Sequence, residues 1–307
     1  MAQQPRKNTR RVRTASHGPS SMGLMGLWTL LRDAALKWNA DGAASMGAAI
    51  AYYTIFSIAP LLIIVLAIAG FFFGAEAAAN RIFGEARSLV GDDGATALQG
   101  LVQSASRPEE GVLATLTGLF FTILGATGVF AELQGAMDRI WKAPARAQES
   151  GLWNMLRRRV LTFGILLAVA FLLLVSLAVS ALVSSLQTLV FTPSDTVELM
   201  WQVINFAVSF LIITALFALL FKLLPRVSVA WSDVIVGAGF TALLFNIGKL
   251  LIGLYIGKTG VTSGFGAAGS LIAIILWVYY SAQIFLLGAE FTWLYAERFG
   301  SRRRTRS

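Results

Sequence analysis

Six stretches of the chain stay apolar long enough to cross a bilayer as helices: roughly 44–73, 112–132, 160–190, 199–223, 233–256 and 268–295. A span needs about 20 residues of helix. The third stretch carries no charge from Val160 through Thr192. The first is overlong and contains Pro60, which predicts a kink or break near Ser57–Pro60. Ahead of it, Leu24, Leu27, Trp28, Leu31, Ala35 and Trp38 recur at helical spacing, with Arg32, Asp33 and Lys37 off that face. Charge interrupts this run too often for a span, so it predicts an interfacial amphipathic helix over 22–41. Residues 75–111 make a long polar connection. Its halves "AEAAANRIFGEARSLV" and "GATALQGLVQSA" are each helical in period, and Gly91-Asp92-Asp93-Gly94 between them predicts the turn of an external helical hairpin. The expected fold is all-α. It is a polytopic transmembrane bundle over 42–297, flanked by basic tails at 1–21 and 298–307.

Composition agrees with that pattern. Hydrophobic residues make up 56% of the chain and charged ones 13%, against about a quarter charged in a globular domain. The mean hydropathy is +0.70. With no cysteine, and His17 as the only histidine, disulfides, thiol nucleophiles and His/Cys metal centres are excluded. No cofactor, metal or catalytic group is expected.

The net charge of +9 would suit nucleic acid, but its distribution argues against that. Twenty of the 25 Lys and Arg fall before the first span, between spans two and three, between four and five, or after the sixth. Arg81, Arg87, Arg107, Lys249 and Lys258 are the remainder. Such a split is the positive-inside signature. It predicts six spans with both termini cytoplasmic. Anionic lipid headgroups then become the partners of the basic face, nucleic acid is not a partner, and a homo-oligomer is left open.

Polar residues inside the apolar runs are the candidates for chemistry. Gln283, Glu290 and Glu297 are spaced by seven and share a helical face, with Tyr279 and Tyr280 one turn above Gln283. Counted from the outer end, Glu290 sits near the cytoplasmic boundary. Span two ends comparably, with Glu132, Gln134 and Asp138. These carboxylates either pair with loop arginines at the interface or line a polar vestibule, since ionisable groups within membranes tend to be functional. Lys249 lies in the outer half of span five with Asn246 one turn earlier; its stem can snorkel outward, or its ammonium can draw an anion. Tyr52, Tyr53, Thr54 and Ser57 precede Pro60, where the hydroxyls serve either a pathway or backbone carbonyls. Together Tyr52, Tyr53, Ser57, Pro60, Glu132, Asn246, Lys249, Tyr279, Gln283 and Glu290 form the candidate polar pathway. "GLYIGKTG" is not a phosphate-binding loop, because only three residues separate Gly253 from Gly257 where that motif needs four.

"AIAYYTIFSIAPLL" (49–62), "AELQGAMDRIW" (131–141) and "GFGAAGSLIAIILWVYYSAQIFLLGAEFTWLYA" (264–296) resemble the YihY/BrkB family of bacterial inner-membrane proteins. The resemblance covers about 40–297. It implies six helical spans and an unsettled activity. The family carries an old ribonuclease label and a virulence or serum-resistance label, and one branch is suspected of moving lipopolysaccharide precursors. It marks Tyr52, Tyr53, Pro60, Gln283 and Glu290 as signature positions without a role. A ribonuclease would need clustered ligands around an activated water, or a histidine for proton transfer, and the chain offers neither. The reading that follows is a transporter or flippase-like protein for a lipid or an amphipathic or anionic solute. A non-transporting envelope scaffold is the alternative.

Overall fold

The computed structural model describes residues 24–105, 128–144, 195–259 and 267–303. The expected spans at 112–132 and 160–190 lie largely or wholly outside these residues, as does the tail 1–21. The described residues contain no strand. They form α1 (Leu24–Ala40), α2 (Ala43–Phe73), α3 (Ala75–Ala105), α4 (128–140), α5 (Asp195–Leu223), α6 (Trp231–Thr259) and α7 (Ala267–Arg298). Three helices are long and apolar enough to cross a membrane, through Phe206–Leu223 in α5, Trp231–Ile252 in α6 and Leu271–Arg298 in α7.

Two sequence expectations change. The helix α2 continues through Pro60 with no break. Proline removes one backbone donor, and a packed apolar helix can tolerate that loss. The nearby hydroxyls bond within the same helix, Thr54 Oγ1 donating to Ile50 O (2.7 Å) and Ser57 Oγ to Thr54 O (3.1 Å). The hairpin expected to turn at Gly91–Gly94 is instead the single helix α3, running unbroken through both glycines and both aspartates. Each helical glycine costs only about 1 kcal/mol, and packing outweighs it. Phe83, Leu98 and Val102 are buried in one cluster with Ile58, Leu62, Ile63 and Leu66 of α2 and Ile274, Trp277 and Val278 of α7. Local turn chemistry lost to a continuous apolar stripe. The reversal occurs earlier, at Gly74, whose φ of 86° is open mainly to glycine. Its N–H closes α2 on Gly70 O at 2.9 Å.

The expected α1 helix forms, but with its buried face rotated. Leu30 and Ala34 are fully buried and Leu31 and Trp38 partly so, whereas Met25, Trp28 and Leu36 are exposed. The bundle therefore takes the 30/34/38 stripe. Met25, Trp28, Arg32 and Leu36 point away from it, a mixture suited to a membrane interface.

The hub is α7, which packs against α1, α2, α3 and α6. Its contact with α6 is antiparallel and nested. Thr292 lies against Gly237, Thr241 against Gly288, and Tyr280 against Gly248, so that added Cβ atoms would collide with those side chains. Both threonine hydroxyls are satisfied within their own helices, Thr241 on Gly237 O (2.7 Å) and Thr292 on Gly288 O (2.6 Å). Small residues thus bring two backbones close without orphaning a buried hydroxyl.

Candidate polar site at the basic end

The ends of α1, α4, α5 and α7 and the starts of α2 and α6 meet at one end of the bundle, tied by polar contacts. Arg226 pairs with Asp138 through Nε–Oδ2 at 3.1 Å, and its backbone N–H donates to Asp138 Oδ1 at 3.0 Å. Gln134 Nε2 donates to Leu224 O (3.3 Å) and Arg139 to Asp41 O (3.3 Å). Arg298 pairs with Asp33. Buried Asp233, in the first turn of α6, accepts from Ser301 N at 3.2 Å and from Ser301 Oγ at 2.6 Å. Arg302 donates to Ser228 O (3.1 Å) and lies over the Trp141 ring. The described parts of the basic segments therefore meet at one end.

The most buried charge lies at this end. Glu290 is 0% exposed, and its Oε2 is 3.3 Å from Lys37 Nζ. Lys37 also pairs with Asp41 at 3.1 Å, and the two side chains keep 20% and 28% exposure. The geometry starts with a two-residue turn. Gly42, at φ 72°, lets α1 stop and α2 begin, and this leaves Asp41 one helical turn beyond Lys37. Partial burial works against ionisation of Asp41. The neighbouring Glu290 carboxyl and the Lys37 and Lys142 ammoniums outweigh it, holding Asp41 below the usual carboxylate value. Lys37 Nζ is 4.1 Å from the centroid of the Trp293 ring and Lys142 Nζ 4.6 Å, within cation–π range. Glu290 Oε1, Gln283 Oε1, Trp38 Nε1 and Trp141 Nε1 are buried without a hydrogen-bond partner among the described residues.

Lys142 occupies an unusual backbone position. Ala143 N closes on Asp138 O at 2.8 Å, which places Lys142, at φ 48°, in the left-handed slot that ends a helix and favours glycine. Holding a side chain there costs about 1 kcal/mol, and the cost secures an ammonium over Trp293. Lys142→Gly and Lys142→Ala both remove that ammonium, but only glycine relieves the backbone. We expect the glycine variant to be more stable than the alanine variant by about 1 kcal/mol, read from melting curves in detergent.

The sequence candidates divide into separate groups. Glu290 and Gln283 both meet the α1–α2 junction: Gln283 Nε2 lies 3.4 Å from Ala43 O and 3.5 Å from Ala44 O, in space left by Gly47. Tyr52 is 59% exposed and packs edge-on against Tyr53 and Phe56. Tyr53 lies against Gly128 of α4. Ser57 and Asn246 bond within their own helices, Asn246 donating to Ala242 O at 2.8 Å. Tyr279, Glu132 and Lys249 are partly buried. Pro60 lies mid-helix in α2. Among the described residues, no hydrogen bond or ion pair links Tyr52, Tyr53, Ser57, Glu132, Asn246, Lys249 or Tyr279 to Gln283 or Glu290. Of the carboxylates expected to find loop arginines, Asp138 does so, whereas Glu290 takes a lysine from α1. Sequence reasoning missed Lys37, Asp41, Trp293, Lys142 and Asp233. Faint signals were present in the i, i+4 Lys37–Asp41 pair and in the Lys142-Ala143-Pro144 helix stop.

Comparison with known proteins adds the family. Residues 34–307 match the family model described as Virulence factor BrkB. A UPF0761 membrane protein of Rhodospirillum centenum is 32% identical over 83% of this chain and 54% of its own length. One of Vibrio vulnificus is 26% identical over 81% of this chain and 76% of its own. The chain thus spans about half the length of the Rhodospirillum relative. No solved structure matches. A chain whose described residues are helical, include three membrane-length apolar helices and gather a polar site at one end, matched over most of its length to these membrane proteins, belongs to the Virulence factor BrkB family.

Proposed function

We propose that the protein moves a lipid, or an amphipathic or anionic solute, across the inner membrane, without catalytic chemistry. The ligand works along the seam where α7 meets the α1–α2 junction. In this reading the chain has six spans and the basic end faces the cytoplasm with both termini. Anionic headgroups gather there through the excess of Lys and Arg. One observation carries the proposal. Glu290 lies fully buried in a membrane-length helix with one oxygen unpartnered, and its cation comes from the short helix α1. A carboxyl kept at such cost is a functional suspect. The two seams of α7 also differ: the α6 side is closed by nested Gly–Thr contacts, while the α2 side holds Gln283 and Glu290.

The test is flux. Purified protein in liposomes should transfer a labelled lipid, phosphatidylethanolamine or an anionic one, between leaflets, and Glu290→Gln, folded by size-exclusion, should abolish the transfer. Undiminished flux in that variant would remove Glu290 from the mechanism. The dense ties at the basic end favour a second reading, a non-transporting scaffold of the envelope. That reading predicts background flux in the wild type and a stoichiometric cross-linked partner.

A further inference from the structure

Three groups surround the Lys37 ammonium: Asp41 Oδ2 at 3.1 Å, Glu290 Oε2 at 3.3 Å and the Trp293 ring centroid at 4.1 Å. Two carboxyls and an indole face are what a primary ammonium requires, with acceptors for its N–H donors and a π surface for its charge. The site can accept more than it is given, since fully buried Glu290 leaves Oε1 without a donor among the described residues. It is also reachable, because Lys37 and Asp41 both retain solvent exposure. The cation filling it belongs to α1, whereas Glu290 and Trp293 belong to α7. Lys142 brings a second ammonium over the same ring, held there by a left-handed backbone.

We propose that Glu290, Asp41 and Trp293 form a binding site for the primary ammonium of an amphipathic ligand, an ethanolamine-type lipid headgroup, and that Lys37 occupies this site and yields it by exchange. The headgroup phosphate beside that ammonium then meets Lys142. Swapping one ammonium for another keeps the charge of the site constant, so the buried carboxyl is never left bare. A quaternary headgroup has no N–H to donate and cannot replace Lys37. The inference rests on the lipid-moving reading and names its headgroup.

Lys37→Ala vacates the site. Its melting temperature in neutral detergent should fall below that of the wild type and rise by several degrees with added ethanolammonium or methylammonium. Tetramethylammonium or sodium at equal ionic strength should leave it unchanged. The wild type, whose Lys37 competes for the site, should respond far less than Lys37→Ala, and Lys37→Met, whose side chain fills the space, should not respond to any of these cations. Equal responses to all of them, or none in folded Lys37→Ala, would overturn the site. A second measurement needs no variant. In nanodiscs, a photoactivatable ethanolamine lipid should label the wild-type peptide bearing Glu290 and Trp293, and unlabelled phosphatidylethanolamine should compete while phosphatidylcholine and phosphatidylglycerol do not. Indiscriminate competition, or no labelling of that peptide, overturns the proposal. Neither assay measures movement. Flux that persists when both fail retires the ammonium site alone, and amine binding without flux retires transport alone.

Discussion

Lys37→Ala should destabilise the protein by about 3 kcal/mol, and Glu290→Leu by far less, although the two residues form one ion pair. Removing one partner of a buried pair leaves the other either charged without a counterion or forced to take up a proton, at a cost of up to about 3–5 kcal/mol. The penalty falls on whichever charge cannot reach water. Glu290 is fully buried and already has an orphaned oxygen, so losing Lys37 strands it. Lys37 keeps 20% exposure and a second partner, Asp41, so losing Glu290 leaves it provided for. The double variant Lys37→Met with Glu290→Leu replaces the pair by apolar groups of similar size and should recover most of the loss. Unfolding in detergent, analysed as a double-mutant cycle, gives the numbers. Equal single-variant costs would mean that Glu290 finds solvent or another cation when Lys37 is gone.

Gly237→Ala should cost about 2–3 kcal/mol, whereas Gly239→Ala, two residues along the same helix, should gain a few tenths or more. A methyl on Gly237 would sit 2.6 Å from Thr292 Cβ and 2.7 Å from its Cγ2. Those atoms belong to a stiff β-branched side chain whose hydroxyl is committed to Gly288 O. The helices must therefore separate, the usual cost of overpacking. At Gly239 nothing lies within 4 Å of an added Cβ, so alanine only relieves the entropic cost of a helical glycine. Melting temperatures that shift in the same direction for both variants would contradict the nested register of α6 and α7.

Apolar pattern made much of the fold legible, because pattern is what a bilayer selects. Runs at 199–223, 233–256 and 268–295 correspond to α5, α6 and α7, and the charge-interrupted run before them became α1. The four-residue signal Gly91–Gly94 misled, because turn propensity is a local preference worth about 1 kcal/mol per residue. The stripe through Phe83, Leu98 and Val102 that overrides it acts through contacts with α2 and α7. At the candidate site, the spacing of seven placed Gln283 and Glu290 on one face, and both do meet the α1–α2 junction. The identity of their partners was not readable. Lys37 lies 253 residues from Glu290, and no periodicity encodes so distant a contact. The same holds for Asp233, whose acceptors are filled by Ser301 beyond the end of α7. The rotated face of α1 has a related cause. Its apolar residues ring most of the helix, so only the shape of α7 decides that Leu30 and Ala34 turn inward while Trp28 stays outside.

The position of α7 as the common partner of α1, α2, α3 and α6 bears on biogenesis. It follows those helices in the chain, so it leaves the ribosome after them, at about 5–20 residues per second. Until it inserts, Lys37 lacks Glu290, the glycine face of α6 lacks Thr292, and Asp233 lacks Ser301. Until then the earlier helices keep small-residue grooves and charged groups uncovered. Docking of α7 covers these surfaces together.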